Sequence, residues 1–297
     1  MRFFKNHKFV TVLLLAFSLF VYVNFTRIVD YDKNTDTKSE HYINELYKSD
    51  GRIYKEYLGP DEQKMYMHII NQVKHYFLFS KIDFDEFNCV DYEDCADIID
   101  YANQAIYVDH PELMNYSGYS WKYNGNTDTF TWTQRYAFYL PVKEAIGILR
   151  TEKVITDIKK ATKDMDDREK IIYVYNWMGD HNKYDHLFTY AGKNQSIYNV
   201  FVKGNAVCAG FAKASQIIFS NIGIESYIVQ GSTSAEHMWN IVRYKGKYYY
   251  FDSTVSVGTV KKHQVHYDGI RQEKFTDYTV NHPDWYPEVE TTNMFEI

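Results

Sequence analysis

Residues 204–254 read GNAVCAGFAKASQIIFSNIGIESYIVQGSTSAEHMWNIVRYKGKYYYFDST, and the fold is decided in this stretch. Phe211, Ala214, Ile218 and Ile222 recur at the spacing of one helical face, with Asn205 as the expected N-cap and Gly223 as the stop. Cys208 then lies in or near the first turn, where unpaired N–H groups and the positive end of the helix dipole favour a thiolate. A thiolate attacks carbonyl carbon, and a thiol does so poorly. Residues 225–230 follow as a β-branched and aromatic strand, and 231–236 as a small, polar loop. Beyond them, 237–244, Lys245-Gly246 and 247–252 read as a hairpin with a two-residue turn. A turn centred there sets Tyr244 opposite Lys247 and Trp239 opposite Asp252. His237, two residues beyond Trp239, becomes the diagonal neighbour of Asp252 on one sheet face. A three-residue turn would put the two on opposite faces.

Taken singly, these residues say little. A cysteine in a helix is most often a small buried hydrophobe, and an aspartate before Ser-Thr often only caps a turn. As an ordered set, G-N-A-V-C-A-G-F-A-K-A around Cys208, G-I-E-S-Y-I-V-Q-G, H-M-W-N-I-V before Lys245-Gly246-Lys247, and Y-Y-F-D-S-T around Asp252 resemble the transglutaminase-like superfamily, the papain-related cysteine enzymes, in their bacterial extracellular form. The resemblance covers about fifty residues. It implies an α+β fold, with a nucleophile helix packed on an antiparallel sheet. It also implies a triad of Cys208 as nucleophile, His237 as base and then acid, and Asp252 orienting the imidazole. Relatives take a second oxyanion donor from a side chain a little before the cysteine. Tyr198, Ser196 and Asn205 are the candidates beside the Cys208 N–H, with Tyr198 preferred.

Upstream, Arg2, Lys5 and Lys8 precede an uncharged run, 9–25, at the short end of what a bilayer needs. A signal peptide begins in the same way, but no small-x-small cleavage site follows the run. The expectation is an uncleaved anchor with residues 1–8 inside, and the rest held outside the cell by a polar linker over 26–50. Secretion is the alternative. The first thirty residues hold four of the 33 basic and one of the 39 acidic side chains, which leaves 29 basic against 38 acidic for the remainder. An acidic ectodomain argues against a nucleic-acid partner.

Residues 51–165 are expected to form an N-terminal α+β region ahead of a catalytic domain over 166–297. Pro60 starts a helix carrying Met65, Ile69 and Val73, and Cys95, Ile98, Ile99, Ala102 and Ile106 mark another. Segments 116–123 and 129–139 flank Asn124-Gly125-Asn126 as a hairpin. Asp109-His110-Pro111-Glu112 resembles a segment found before this core in bacterial relatives. Residues 141–163 read as a connecting helix, and Asp166 or Asp167 caps the next one, with Ile171, Ile172, Tyr175 and Met178. In the family that helix leads into a Tyr-Asp pair, here Tyr184-Asp185.

Cys89 and Cys95 either pair as a disulfide in an oxidising exterior, leaving Cys208 free, or lie buried as thiols. The 29 tyrosines fill cores and strand faces on the simpler view, and line a groove for extended substrates on the sharper one. His181, His186, His263 and His266 lack the company of a zinc signature. No metal or cofactor is expected. The reading that follows is a thiol enzyme acting on protein or peptide amides. It is weighted to hydrolysis because neither a calcium site nor the extra β-domains of animal transglutaminases is present in the sequence. Crosslinking by glutamyl transfer and a non-catalytic surface module are the alternatives. Neither the substrate nor the oligomeric state is written in the sequence.

Overall fold

A computed structural model of the chain describes residues 47, 49–74, 79–114, 116–136, 141–186, 194–258 and 267–295. The chain divides into Met1–Tyr42 and a compact unit, Ile43–Ile297. The tail over 1–8, the expected anchor over 9–25 and almost all of the linker lie outside the described residues. Among the described residues no helix is long and apolar enough to cross a membrane.

In the compact unit, α1 (Arg52–Glu56) and α2 (Pro60–Lys74) precede β1 (Phe79–Asp83), the single-turn α3 (Phe84–Phe87) and α4 (Tyr92–Asp109). Pro60 opens α2, where a missing N–H leaves no bond unmade, and Met65, Ile69 and Val73 line its buried face. The Asp91 carboxylate caps α4 by accepting from the Asp94 N–H, and the helix buries Cys95, Ile98, Ile99, Ala102 and Ile106. Cys95 sits on the core face and is bonded to Cys89, so the pair is a disulfide and not two buried thiols. Asp109 at the end of α4 accepts from the N–H groups of Ile53 and Tyr54, each at 3.1 Å, which ties α1 to α4. His110 Nδ1 lies 2.7 Å from the Glu112 carboxylate, so this run is an interlocked corner of the fold. Strands β2 (Tyr116–Asn124) and β3 (Thr129–Tyr136) form the expected hairpin, and β1 joins the free edge of β3. Phe130 and Trp132 on β3 are fully buried.

The chain continues through α5 (Pro141–Ala161) to α6 (Asp167–His181), which starts with a capping box: Asp166 accepts from the Glu169 N–H, and Glu169 from the Asp166 N–H. Two short strands, β4 (Lys183–Tyr184) and β5 (Asn205–Ala206), pair in parallel. Helix α7 (Cys208–Ile222) then packs on a four-stranded antiparallel sheet made of β6 (Ser226–Ser232), β7 (Glu236–Tyr244), β8 (Lys247–Phe251) and β9 (Thr279–Val280), in the order β8-β7-β6-β9. The fold is thus α+β, with the cysteine-bearing helix on an antiparallel sheet. Ile217, Ile218 and Phe219 of α7 share one core with Val242, Tyr249 and Phe251. Inside that contact the fully buried Asn240 of β7 donates to the Ala212 carbonyl at 3.0 Å, which pins strand to helix. Ala209, Ala212, Ile228, Met238 and Trp285 are buried together with the apolar residues of α1, α2 and α4.

Candidate active site

Cys208 is the first residue of α7 and is the free cysteine of the chain. Asn205 does not cap this helix. It lies in β5, and the cap position belongs to Val207, whose side chain makes no capping bond. A Ser or Asp cap would occupy an N–H donor at this end, whereas Val207 leaves the field of the helix terminus open to an anion beside Cys208.

The β7–β8 turn has both central residues at positive φ, Lys245 at 48° and Gly246 at 81°, the geometry that joins antiparallel strands through two residues. Tyr244 pairs with Lys247 and Asn240 with Phe251, so Asp252 follows directly at the end of β8. His237 Nε2 donates to Asp252 Oδ2 at 2.7 Å. The imidazole also interacts with the Cys208 side chain by hydrogen bond and by charge. The three residues therefore form one chain of contacts, Cys208 to His237 to Asp252.

Asp252 is 1% exposed, and its charge is met on every side. Its Oδ1 accepts from the Thr254 N–H at 2.9 Å, and its Oδ2 accepts from Tyr278 Oη at 2.8 Å as well as from His237. Burial alone would favour neutral His237. The hydrogen bond to Asp252, then that to Cys208 and the charges of both, outweigh burial and push the imidazole pKa up to about 10. Trp239 is 1% exposed and stacks at 5.8 Å on the His237 ring, so it packs behind the histidine.

The phenol at the nucleophile is that of Tyr184. Its hydroxyl hydrogen-bonds both the backbone N–H and the side chain of Cys208. Burial first, and then the charge of Cys208, push its pKa up to about 12, so it remains a protonated donor. The parallel ladder places it: Tyr184 pairs with Ala206, two residues before Cys208. Asp185 supports the same loop, because its N–H donates to the Ala206 carbonyl at 2.9 Å and its carboxylate accepts from Asn194 Nδ2 at 3.0 Å.

The ring of Tyr198, expected as the oxyanion donor, packs against Gly147 of α5, where an added Cβ would come within 2.7 Å of it. Lys203 Nζ sits 6.0 Å from the centre of the same ring. The Ser196 hydroxyl is turned to the Met114 carbonyl and accepts from the Tyr198 N–H at 3.0 Å. Two tyrosines, Tyr184 and Tyr278, thus join the expected triad. For Tyr184 the signal was its place in the Tyr-Asp pair; for Tyr278 no local signal exists.

Lys213, five residues after the nucleophile, is 2% exposed, with its ammonium 3.3 Å from the centre of the Tyr107 ring. Burial, opposed by the charge of Glu112, pulls its pKa down to about 7. Among the described residues no three His, Cys, Asp or Glu side chains gather as a metal site.

Residues 155–253 match the family described as the transglutaminase-like superfamily. This segment carries the transglutaminase-like core. The match begins in α5 and ends one residue beyond Asp252, so it takes in Cys208, His237 and Tyr184 and leaves out Tyr278. Solved structures that the chain matches in part include a transglutaminase, 17% identical, with 47% of this chain and 44% of that one covered at a TM-score of 0.34. Another is a proposed cysteine protease from Cytophaga hutchinsonii, 12% identical, with 55% and 70% covered at 0.31. A proposed protease from Parabacteroides distasonis is also 12% identical, with 46% and 36% covered at 0.31. The chain spans less than half of the first of these. No curated protein matches it.

Proposed function

We propose that this chain is a membrane-anchored, extracellular thiol enzyme that forms an acyl-enzyme at Cys208 and hydrolyses amide bonds in proteins or peptides. The observation that carries the reading is the 2.7 Å bond from His237 Nε2 to Asp252, made while the same imidazole holds Cys208 at the start of α7. The membrane and the extracellular side rest on the basic residues and uncharged run of the N-terminus.

The chemistry follows from the contacts. Both the imidazolium of His237 and the helix terminus favour negative charge on the sulfur. Sγ attacks the amide carbonyl carbon, and the carbonyl π electrons move to oxygen. That oxygen takes over the Cys208 N–H from the Tyr184 hydroxyl and receives the phenolic O–H in turn, which gives two donors. As the tetrahedral adduct collapses, the C–N bond breaks and His237 delivers its proton to the leaving nitrogen. Neutral His237 then deprotonates a water that attacks the thioester, and the C–S bond breaks to return the thiolate. Asp252 keeps the imidazole oriented through both steps. Water is the acceptor that asks least of the chain, since an amine acceptor needs a binding site of its own.

The test is incubation of the soluble part of the chain with a peptide mixture, with and without a labelled primary amine, read by mass spectrometry. Cleavage or deamidation that disappears in Cys208→Ala supports hydrolysis. Amine incorporation that depends on Cys208 would instead assign a crosslinking transferase. Products of equal yield from wild type and Cys208→Ala would overturn the acyl-enzyme.

A further inference from the structure

Asp252 Oδ2 accepts two hydrogen bonds at nearly equal length, from His237 Nε2 at 2.7 Å and from Tyr278 Oη at 2.8 Å. Tyr278 arrives from the segment after β8, just before β9, and lies beyond the region matched to the superfamily. Its ring stands edge-on to His237 at 5.7 Å and to Trp239 at 4.9 Å, and it packs on Phe275 at 4.6 Å. Its other side bounds a cavity of about 660 Å³ lined by Ile241, Tyr250, Phe275 and Val280. The aromatic wall fixes the ring, and the hydroxyl donates to the triad carboxylate.

We propose that Tyr278 is a positioning residue that shares Asp252 Oδ2 with His237, and that by sharing it sets how strongly the carboxylate holds the imidazolium. The inference rests on the triad reading above. Two donors on one oxygen divide its charge between them, so the phenol restrains the pull of Asp252 on His237. Without that restraint the imidazolium holds its proton more firmly still and passes it less readily to a leaving group. The phenol can do this throughout the working range, because burial first and the Asp252 charge next hold its proton well above the ordinary tyrosine range. The other titratable groups facing the pair are Cys208 and Tyr184 on the nucleophile side, Tyr175 from α6, and Asp277 next to Tyr278.

The sign separates this role from a purely structural one. In Tyr278→Phe the ring contacts stay and the hydroxyl goes, so Asp252 Oδ2 turns its whole charge on His237. The histidine titration, followed by NMR on ¹³C-histidine-labelled protein, is expected to move up by about half a unit to one unit. In an Asp252→Asn background the same substitution is expected to move it by less than about 0.2 unit, because the shared carboxylate is gone. Loss of packing alone would loosen the Asp252–His237 bond and move the titration down. A downward or zero shift in Tyr278→Phe overturns the proposal, as does an equal shift in both backgrounds. The readout needs no substrate. A mistaken reaction class therefore leaves it intact, while a His237 titration that Asp252→Asn alone does not move would instead sink the triad on which the proposal stands.

Discussion

Tyr184 pairs with Ala206 across the parallel β4–β5 ladder, and that register carries its hydroxyl to the N–H and the sulfur of Cys208. The donor for a developing oxyanion is thus supplied by a two-residue strand adjoining the nucleophile helix. Tyr184→Phe is expected to lower kcat roughly 100- to 1,000-fold with little change in KM, since the bond strengthens only in the transition state. Tyr198→Phe is expected to stay within about threefold of wild type. Steady-state kinetics on the substrate found by mass spectrometry checks both, and the reverse ranking would return the role to Tyr198.

Cys208→Ala and His237→Ala are expected to abolish turnover with circular dichroism unchanged. Asp252→Asn keeps the side-chain volume and weakens only the orientation of the imidazole, so a measurable rate survives a loss of roughly 100- to 10,000-fold. Full activity in any of the three would remove that residue from the mechanism.

The His237 imidazole has its pKa raised from 6.5 to about 10, so its bond to Asp252 contributes stability that is complete below about 6.5 and is lost as pH rises through 10. The melting temperature of wild type is therefore expected to exceed that of His237→Ala most near pH 6, and the gap to close as pH passes 10. Thermal melts of the two proteins over this range measure it. A gap that widened with pH would mean that the histidine is buried neutral.

Lys213 behaves in the opposite sense. Its pKa falls from 10.5 to about 7, so the cost of burying its charge is fully present below 7 and fades as pH rises to 10.5. Lys213→Met keeps the volume, and it is expected to stabilise the fold by about 1–3 kcal/mol at neutral pH, with a smaller gain in alkali. Chemical denaturation at two pH values tests this. A loss at neutral pH would show that Glu112 depends on the ammonium.

What could be read in the sequence follows contact range. The Cys208 helix, the Lys245-Gly246 turn and the His237–Asp252 register depend on period and turn chemistry within fifteen residues, and the structure has them in place. Val207 rather than Asn205 holds the cap position of α7, because Asn205, a good capping residue in isolation, is taken up by pairing with Lys183. Tyr184 was visible only as half of a Tyr-Asp pair, since what brings it to Cys208 is a parallel pairing between segments 22 residues apart, Lys183 with Asn205. Tyr278 lies 26 residues beyond Asp252 in the chain, a separation over which neither period nor turn chemistry gives a signal. The helical period places Cys95 on a core face but does not decide between thiol and disulfide, since the choice depends on where Cys89 comes to lie.

The central claim is that Cys208 is a nucleophile activated by His237, and alkylation by iodoacetamide at about pH 6, read by intact mass and peptide mapping, tests it most directly. The account predicts a single rapid adduct on Cys208, slowed by about tenfold or more in His237→Ala. A wild-type rate no faster than that of an ordinary thiol at the same pH, unchanged by His237→Ala, would contradict it.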